Sequence, residues 1–243
     1  KIEITYDAGT ITVINWGKYI AFNNVVDCFS REYSSSNYND KEDNVKGGIN
    51  GIGVKLTNIL SKSFYVESCD GSSIFSVKFE NNLSIRHDPV ISPLNTSNST
   101  NKNNGREFVL IKFLPDYDKL CIINKNTPST NWLSKNNDVV EKIISRRAQE
   151  LAVYASMPSF ISGRTIPVFY GGHQIITSFD IFVKKHIIDI TDQIMIYDFK
   201  TQWPCLMGII FHSPIETKKE DKPSTFAPVG HRSITIINGV VLS

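Results

Sequence analysis

The chain has 243 residues, 41% of them hydrophobic and 11% aromatic, enough for one large domain, or one domain and part of another, with a true core. Its formal charge of +2 gives no electrostatic case for nucleic-acid binding by this segment. No apolar run approaches the roughly 18 residues of a membrane-spanning helix, and Cys28, Cys69, Cys121 and Cys205 are too scattered for a zinc site or a disulfide framework, so a reducing intracellular compartment is the simpler setting.

The chain opens on Lys1 without a signal peptide and is expected to be a fragment. Lys1 to Ile14 alternates apolar and polar residues around Asp7-Ala8-Gly9 and predicts a hairpin. Ser63 to Glu80 predicts a second, turning at Asp70-Gly71. Between them, Gly47 to Gly53 holds four glycines in seven residues, followed by a helical run with Val54, Leu56, Ile59 and Leu60 as its apolar positions. Glycines let a backbone approach a ligand closely, and a helix start offers unpaired N–H groups and partial positive charge. That pattern suits a phosphate group, with Lys55 placed to reach the same anion. The segment is neither a Walker A loop, which ends in Gly-Lys-Ser/Thr, nor a dinucleotide fingerprint.

Asn81 to Gly105 is poor in large apolar residues, and Asn95 to Asn104 reads as a low-complexity insertion. Glu107 to Phe113 predicts a strand, and Asp116 and Asp118 a solvated turn after Pro115. A helix is predicted over Asp138 to Ala155, with Asp138 and Glu141 as a capping box and Val139, Val140, Ile143, Ile144, Ala148, Leu151, Ala152 and Ala155 as one apolar face. Thr165 to Ile176 predicts a hairpin whose turn carries His173, a poor catalytic candidate, and Phe179 to Ile188 a short amphipathic segment. Strands are predicted over Trp203 to His212 and Arg232 to Asn238.

Several blocks resemble eukaryotic-type DNA topoisomerase II. Gly47-Gly48-Ile49-Asn50-Gly51-Ile52-Gly53-Val54-Lys55-Leu56 is similar to that family's ATP-lid motif, Gly-Gly-Arg-Asn-Gly-Tyr-Gly-Ala-Lys-Leu. Ser35-Ser36-Asn37-Tyr38 is similar to its Ser-Ser-Asn-Tyr, at the family's interval. Ile14-Asn15-Trp16-Gly17-Lys18-Tyr19-Ile20-Ala21 resembles its Trp-Asn-Asn-Gly-x-Gly-Ile-Pro block, departing at Trp16, Tyr19 and Ala21. A tyrosine at the second glycine position cannot take a positive φ cheaply. Leu114-Pro115-Asp116-Tyr117 and Ser145-Arg146-Arg147-Ala148 match further pieces.

The resemblance implies an α/β fold: a two-layer sandwich of the gyrase B/Hsp90-type ATPase fold with a mixed, mostly antiparallel sheet. It implies an ATPase domain over residues 1–187 and, over 188–243, the beginning of a ribosomal protein S5 domain 2-like transducer domain. The implied activity is that of an ATP-dependent type II DNA topoisomerase. ATP binding and hydrolysis there close a dimer gate and drive passage of one duplex through another. The implied nucleotide-binding residues are Asn15, Gly17, Ser35, Ser36, Asn37, Gly48, Ile49, Asn50, Gly51, Ile52, Gly53, Val54 and Lys55. ATP and Mg2+ are the implied cofactors, but the family's general-base glutamate and metal-binding asparagine are expected upstream of Lys1, so no residue here is matched to either role. The implied partners are a second copy of the full-length protein and double-stranded DNA held mostly by other regions, with no membrane. The implied location is intracellular: the nucleus for a cellular protein, and the host nucleus, cytoplasm or virion for a viral one. Tyr19 and Ala21 leave open a non-hydrolysing nucleotide switch or an interaction domain of the same fold.

Overall fold

The computed structural model describes residues 1–31, 51–94, 105–120, 132–157 and 165–185, with strands at 193–199, 205–211, 231–237 and 240–242. The chain divides into two compact units. One holds Lys1–Glu42, Gly48–Ala148 and Pro167–Ile175, the other Asp43–Gly47, Gln149–Ile166 and Ile176–Ser243.

In the first unit, β1 (Ile2–Asp7) and β2 (Thr10–Asn15) form the expected antiparallel hairpin, registered from Ile2↔Asn15 to Asp7↔Thr10. Its two-residue turn has positive φ at both central residues, 44° at Ala8 and 92° at Gly9, the geometry that matches strand twist. After it come α1 (Phe22–Ser30) and α2 (Gly53–Ile59). α1 is a helix that sequence reading missed, although Phe22, Val25, Val26 and Phe29 recur at helical spacing.

The second hairpin, β3 (Ser61–Cys69) and β4 (Ser73–Glu80), is as predicted. β5 (Ile85–Arg86) and β6 (Val90–Pro93) both pair with β4 and lie in a stretch where no strand was expected. β7 (Phe108–Pro115) inserts between β2 and β3. α3 (Tyr117–Leu120) follows directly. Its start corrects the reading of Asp116 as solvated: the residue is buried, its N–H donates to the Leu60 carbonyl (2.7 Å), and its Oδ1 accepts the Lys119 N–H (3.3 Å) as a helix cap.

α4 (Trp132–Ala155) begins earlier than the expected Asp138, with Asn136 as a non-helical kink (φ −126°, ψ 17°). The extra turn is held by Trp132, stacked on Tyr117 at 6.1 Å, so the helix starts at an aromatic contact rather than at Asp138. Of the expected apolar face, Val140, Ala148, Ala152 and Ala155 are buried, whereas Val139 and Ile143 are exposed. β8 (Val168–Tyr170) and β9 (His173–Gln174) complete the first sheet. The strand order is β5-β4-β3-β7-β2-β1-β8-β9 with β6 also on β4, antiparallel everywhere except β1 against β8.

One face of this sheet makes the core. Phe64 and Val66 of β3 pair with Phe79 and Val77 of β4, and α1 lays Val25 and Phe29 on them. Fully burying each such side chain contributes about 1.5–3 kcal/mol. The opposite face carries Tyr65, Glu67, Lys78 and Lys112. There burial, followed by the hydrogen bond to Glu67, pushes the Tyr65 hydroxyl up to about 12.

In the second unit, α5 (Phe179–Lys184) is capped by Ser178 and buries Phe179, Phe182 and Val183. A separate antiparallel sheet runs β10 (Gln193–Phe199), β11 (Cys205–Phe211), β12 (His231–Ile237) and β13 (Val240–Leu242). β11 and β12 match the two predicted strands, and β10 and β13 flank them.

The first hairpin turn yields a stability test. A Cβ on Gly9 would lie 2.5 Å from Leu133 Cδ2 and 3.3 Å from a Tyr117 ring carbon, on a backbone already at φ 92°. The Tyr117 hydroxyl also donates to the Gly9 carbonyl at 2.8 Å. Gly9→Ala is therefore expected to destabilise the chain by about 1–3 kcal/mol. A urea titration measures this, and an unchanged midpoint would contradict the packing described.

Candidate functional site

Asn15 is the last residue of β2, exposed, on the helix-bearing face. One register row crosses that face: Asn15 opposite Val109, Val109 opposite Ser68, Ser68 opposite Phe75. The segment Trp16–Ala21 follows the same row. Ile20 is bonded to Ser68, and Phe22 stacks on Phe75 with ring centroids 5.6 Å apart. The chain thus leaves β2, passes over the end of the sheet and enters α1 above β4.

Three anchors hold this segment. The Trp16 indole N–H donates to Glu3 at 2.9 Å, the Trp16 amide N–H donates to the Lys1 carbonyl, and the ring lies 5.4 Å from Phe108. Burial pushes the Glu3 carboxyl up, but the hydrogen bonds from the Lys1 ammonium and the Trp16 indole outweigh it and hold the group below the usual carboxylate range. The Tyr19 N–H donates to Glu107 at 3.2 Å. The Ile20 N–H donates to Ser68 Oγ at 3.0 Å, and that hydroxyl donates to the Ile20 carbonyl at 2.7 Å. Sequence spacing carried no signal for these partners, which lie up to 88 residues away.

Gly17 sits beside Asn15: a Cβ there would lie 3.6 Å from Asn15 Oδ1, ordinary contact. Tyr19 is not among the residues with positive φ. The expected conflict between a tyrosine and a left-handed backbone therefore does not arise. Its ring packs edge-on against Phe22 at 5.9 Å.

The second candidate segment is the end of the glycine-rich run. Gly51 has φ 60°, the left-handed conformation glycine tolerates, and its carbonyl accepts a 2.6 Å hydrogen bond from Lys55 Nζ. Among the described residues no side chain caps α2, so there its first N–H groups have neither an intrahelical nor a capping side-chain partner. A Cβ on Gly53 would meet nothing among the described residues within 4 Å. Lys55 is 4% exposed and Asn58 fully buried, whereas Leu56 is 49% exposed and Ile59 and Leu60 also face outward. This reverses the expected apolar face of α2. The reason is polar anchoring: the Asn58 amide donates to the Phe29 carbonyl at the end of α1 (3.0 Å), and Lys55 holds Gly51. Ile20 and Val54 pack on the same buried cluster, so both candidate segments rest on one core.

Gly51, Ile52, Gly53, Val54 and Lys55 are thus placed at the α2 start, and Asn15 and Gly17 at the end of β2. Ser35, Ser36, Asn37, Gly48, Ile49 and Asn50 lie outside the described residues. Among the described residues no group of three or more His, Cys, Asp or Glu side chains could hold a metal ion, and Cys28 and Cys69 are free thiols. No helix among them is long and apolar enough to cross a membrane.

No family model matches the chain. It is 33% identical over 162 residues to the mitochondrial DNA topoisomerase 2 of Dictyostelium discoideum, covering 63% of this chain and 11% of that protein. It is 30% identical over 179 residues to DNA topoisomerase 2 of Plasmodium falciparum, covering 69% and 11%. A solved structure of the ATPase and transducer domains of DNA topoisomerase II from Balamuthia mandrillaris superposes with a TM-score of 0.63 at 26% identity, over 86% of this chain and 50% of that one. The chain therefore spans about a tenth of the curated relatives it matches. It is a homologue of eukaryotic DNA topoisomerase II and has the α/β fold of that family's ATPase and transducer region.

Proposed function

We propose that the chain is part of the ATPase region of an ATP-dependent type II DNA topoisomerase, with residues 1–187 the ATPase domain and 188–243 the beginning of the transducer domain. The observation that carries the reading is the joint likeness in sequence and fold to one enzyme family, extending across most of the chain. Adenine would sit at the β2 end, where the Asn15 amide offers a donor and an acceptor and Gly17 leaves room beside it. The triphosphate would sit at the α2 start, against the N–H groups of Gly51 to Lys55, together with Ser35, Ser36, Asn37, Gly48, Ile49 and Asn50.

The α2 start is open to a ligand: Gly53 is exposed, and a Cβ there would meet nothing among the described residues within 4 Å. Lys55 spends one N–H on Gly51, and an ammonium has three donors, so it can hold the lid backbone and face an anion together. The described residues offer no comparable donor set for Mg2+. Its asparagine ligand and the general-base glutamate are proposed to come from outside these 243 residues. In the full-length protein ATP binding would favour a closed homodimer acting on double-stranded DNA, with the DNA held mostly by other regions, inside the cell. A second reading, a switch that binds nucleotide of the same kind without hydrolysing it, rests on the departure at Ala21, since the backbone conflict expected at Tyr19 does not arise.

Three measurements test the site and the two readings. Gly53→Ala is expected to leave the melting temperature unchanged or raised, since its backbone suits alanine and removing a glycine from the unfolded chain stabilises by about 0.4–1 kcal/mol. Gly53→Val, which fills the same space, is expected to abolish ATP binding by calorimetry on the full-length protein, and unchanged affinity would contradict the phosphate site. In sedimentation velocity, the complete N-terminal region is expected to dimerise with a non-hydrolysable ATP analogue and much less with ADP. Equal dimerisation with both would favour the switch.

A further inference from the structure

We infer that Ser68 is a positioning residue for the adenine side of the site, an inference that rests on the nucleotide-binding reading above. Ser68 is fully buried on β3, in the row that begins at Asn15 and ends at Phe75. Its neighbours in that row, Val109 and Phe75, are buried apolar residues. A hydroxyl set among them loses its water and is tolerated only when both its donor and its acceptor capacity are used.

Here both are used on one residue. The hydroxyl donates to the Ile20 carbonyl (2.7 Å) and accepts the Ile20 N–H (3.0 Å). Two bonds to the same residue fix not only where Ile20 lies but which way its peptide groups face, toward the sheet. The segment that starts at Asn15 is thereby held at a set height over the sheet end. Ser68 is itself fully buried, and its two bonds to Ile20 are part-buried like that of Trp16 to Glu3, whereas the Tyr19 bond to Glu107 is exposed.

Ser68 touches Ile20 and acts on the ligand only through that segment. Its removal frees the Ile20 end of the segment that carries Gly17, while Asn15 stays paired with Ile2 and Val109 and the α2 start keeps the Asn58 bond to the Phe29 carbonyl. The two ends of the nucleotide are then affected unequally: the base loses its fixed surface, while the phosphates keep theirs. Preorganised placement of this kind is lost through small displacements of the supporting group.

The test uses the full-length protein and two probes, ADP and inorganic tripolyphosphate, with affinities measured by calorimetry. Ser68→Ala is expected to weaken ADP roughly tenfold or more and to leave tripolyphosphate unchanged. Ser68→Thr, which keeps the hydroxyl, restores ADP affinity. Val66→Ala, two residues along the same strand and face, serves as the stability control, with a lower melting temperature and retained ADP affinity. Should Ser68→Ala not fold, Ser68→Cys, of similar size and weak hydrogen-bonding power, is read in the same way. Wild-type ADP affinity in Ser68→Ala or Ser68→Cys, or equal losses of ADP and tripolyphosphate there, overturns the positioning role. A wild-type protein that binds neither probe overturns the nucleotide-binding reading itself.

Discussion

The pairing of β3 with β4 on one side and β7 on the other constrains everything built on this sheet. In that register Phe64, Val66 and Ser68 share a face with Phe79, Val77 and Phe75 and with Phe113, Ile111 and Val109. A slip of one residue would turn Tyr65 and Glu67 inward and expose the phenylalanines. The same alignment gives α1 its seat and makes Ser68 the only polar member of its row among β7, β3 and β4. The core and the support for Trp16–Ala21 are thus one arrangement read at two heights.

Strands with strong alternation were legible in the sequence. The β1/β2 and β3/β4 hairpins follow from period-two apolar residues and Gly-containing turns, and β7, β11 and β12 from runs of β-branched and aromatic residues. β5 and β6 were not, because two to four residues paired to an edge carry no period to detect. The limits of α4 were misplaced because a ring stack between Trp132 and Tyr117 outweighs the capping pattern at Asp138. Asp116 is buried where a turn after proline suggests solvent, because the sequence gives no sign of the Leu60 carbonyl that its N–H meets.

The site was legible at the level of segments. Asn15, Gly17 and the run from Gly51 to Lys55 stood out by glycine content and by resemblance to a lid motif, and they rest on a common core. What holds them was not legible. Ser68, Glu107 and Glu3 reach the first segment through folding contacts alone. α2 shows the limit most clearly. Apolar periodicity assigns an inner face to Leu56 and Leu60, but the helix has seven residues and is oriented by two polar bonds, Asn58 to Phe29 and Lys55 to Gly51. The long-range bond from Asn58 to the end of α1, with Val54 packed on the core, sets which side of this short helix turns inward, a pairing that apolar spacing does not show.

The proposed chemistry depends on the two segments serving the two ends of one nucleotide. A crystal structure of the protein with a non-hydrolysable ATP analogue tests this most directly. The account predicts the adenine against Asn15 and the segment through Ile20, with phosphate oxygens on the backbone N–H groups between Gly51 and Lys55. A nucleotide bound instead on the opposite face of the sheet, beside Tyr65, Lys78 and Lys112, would contradict it.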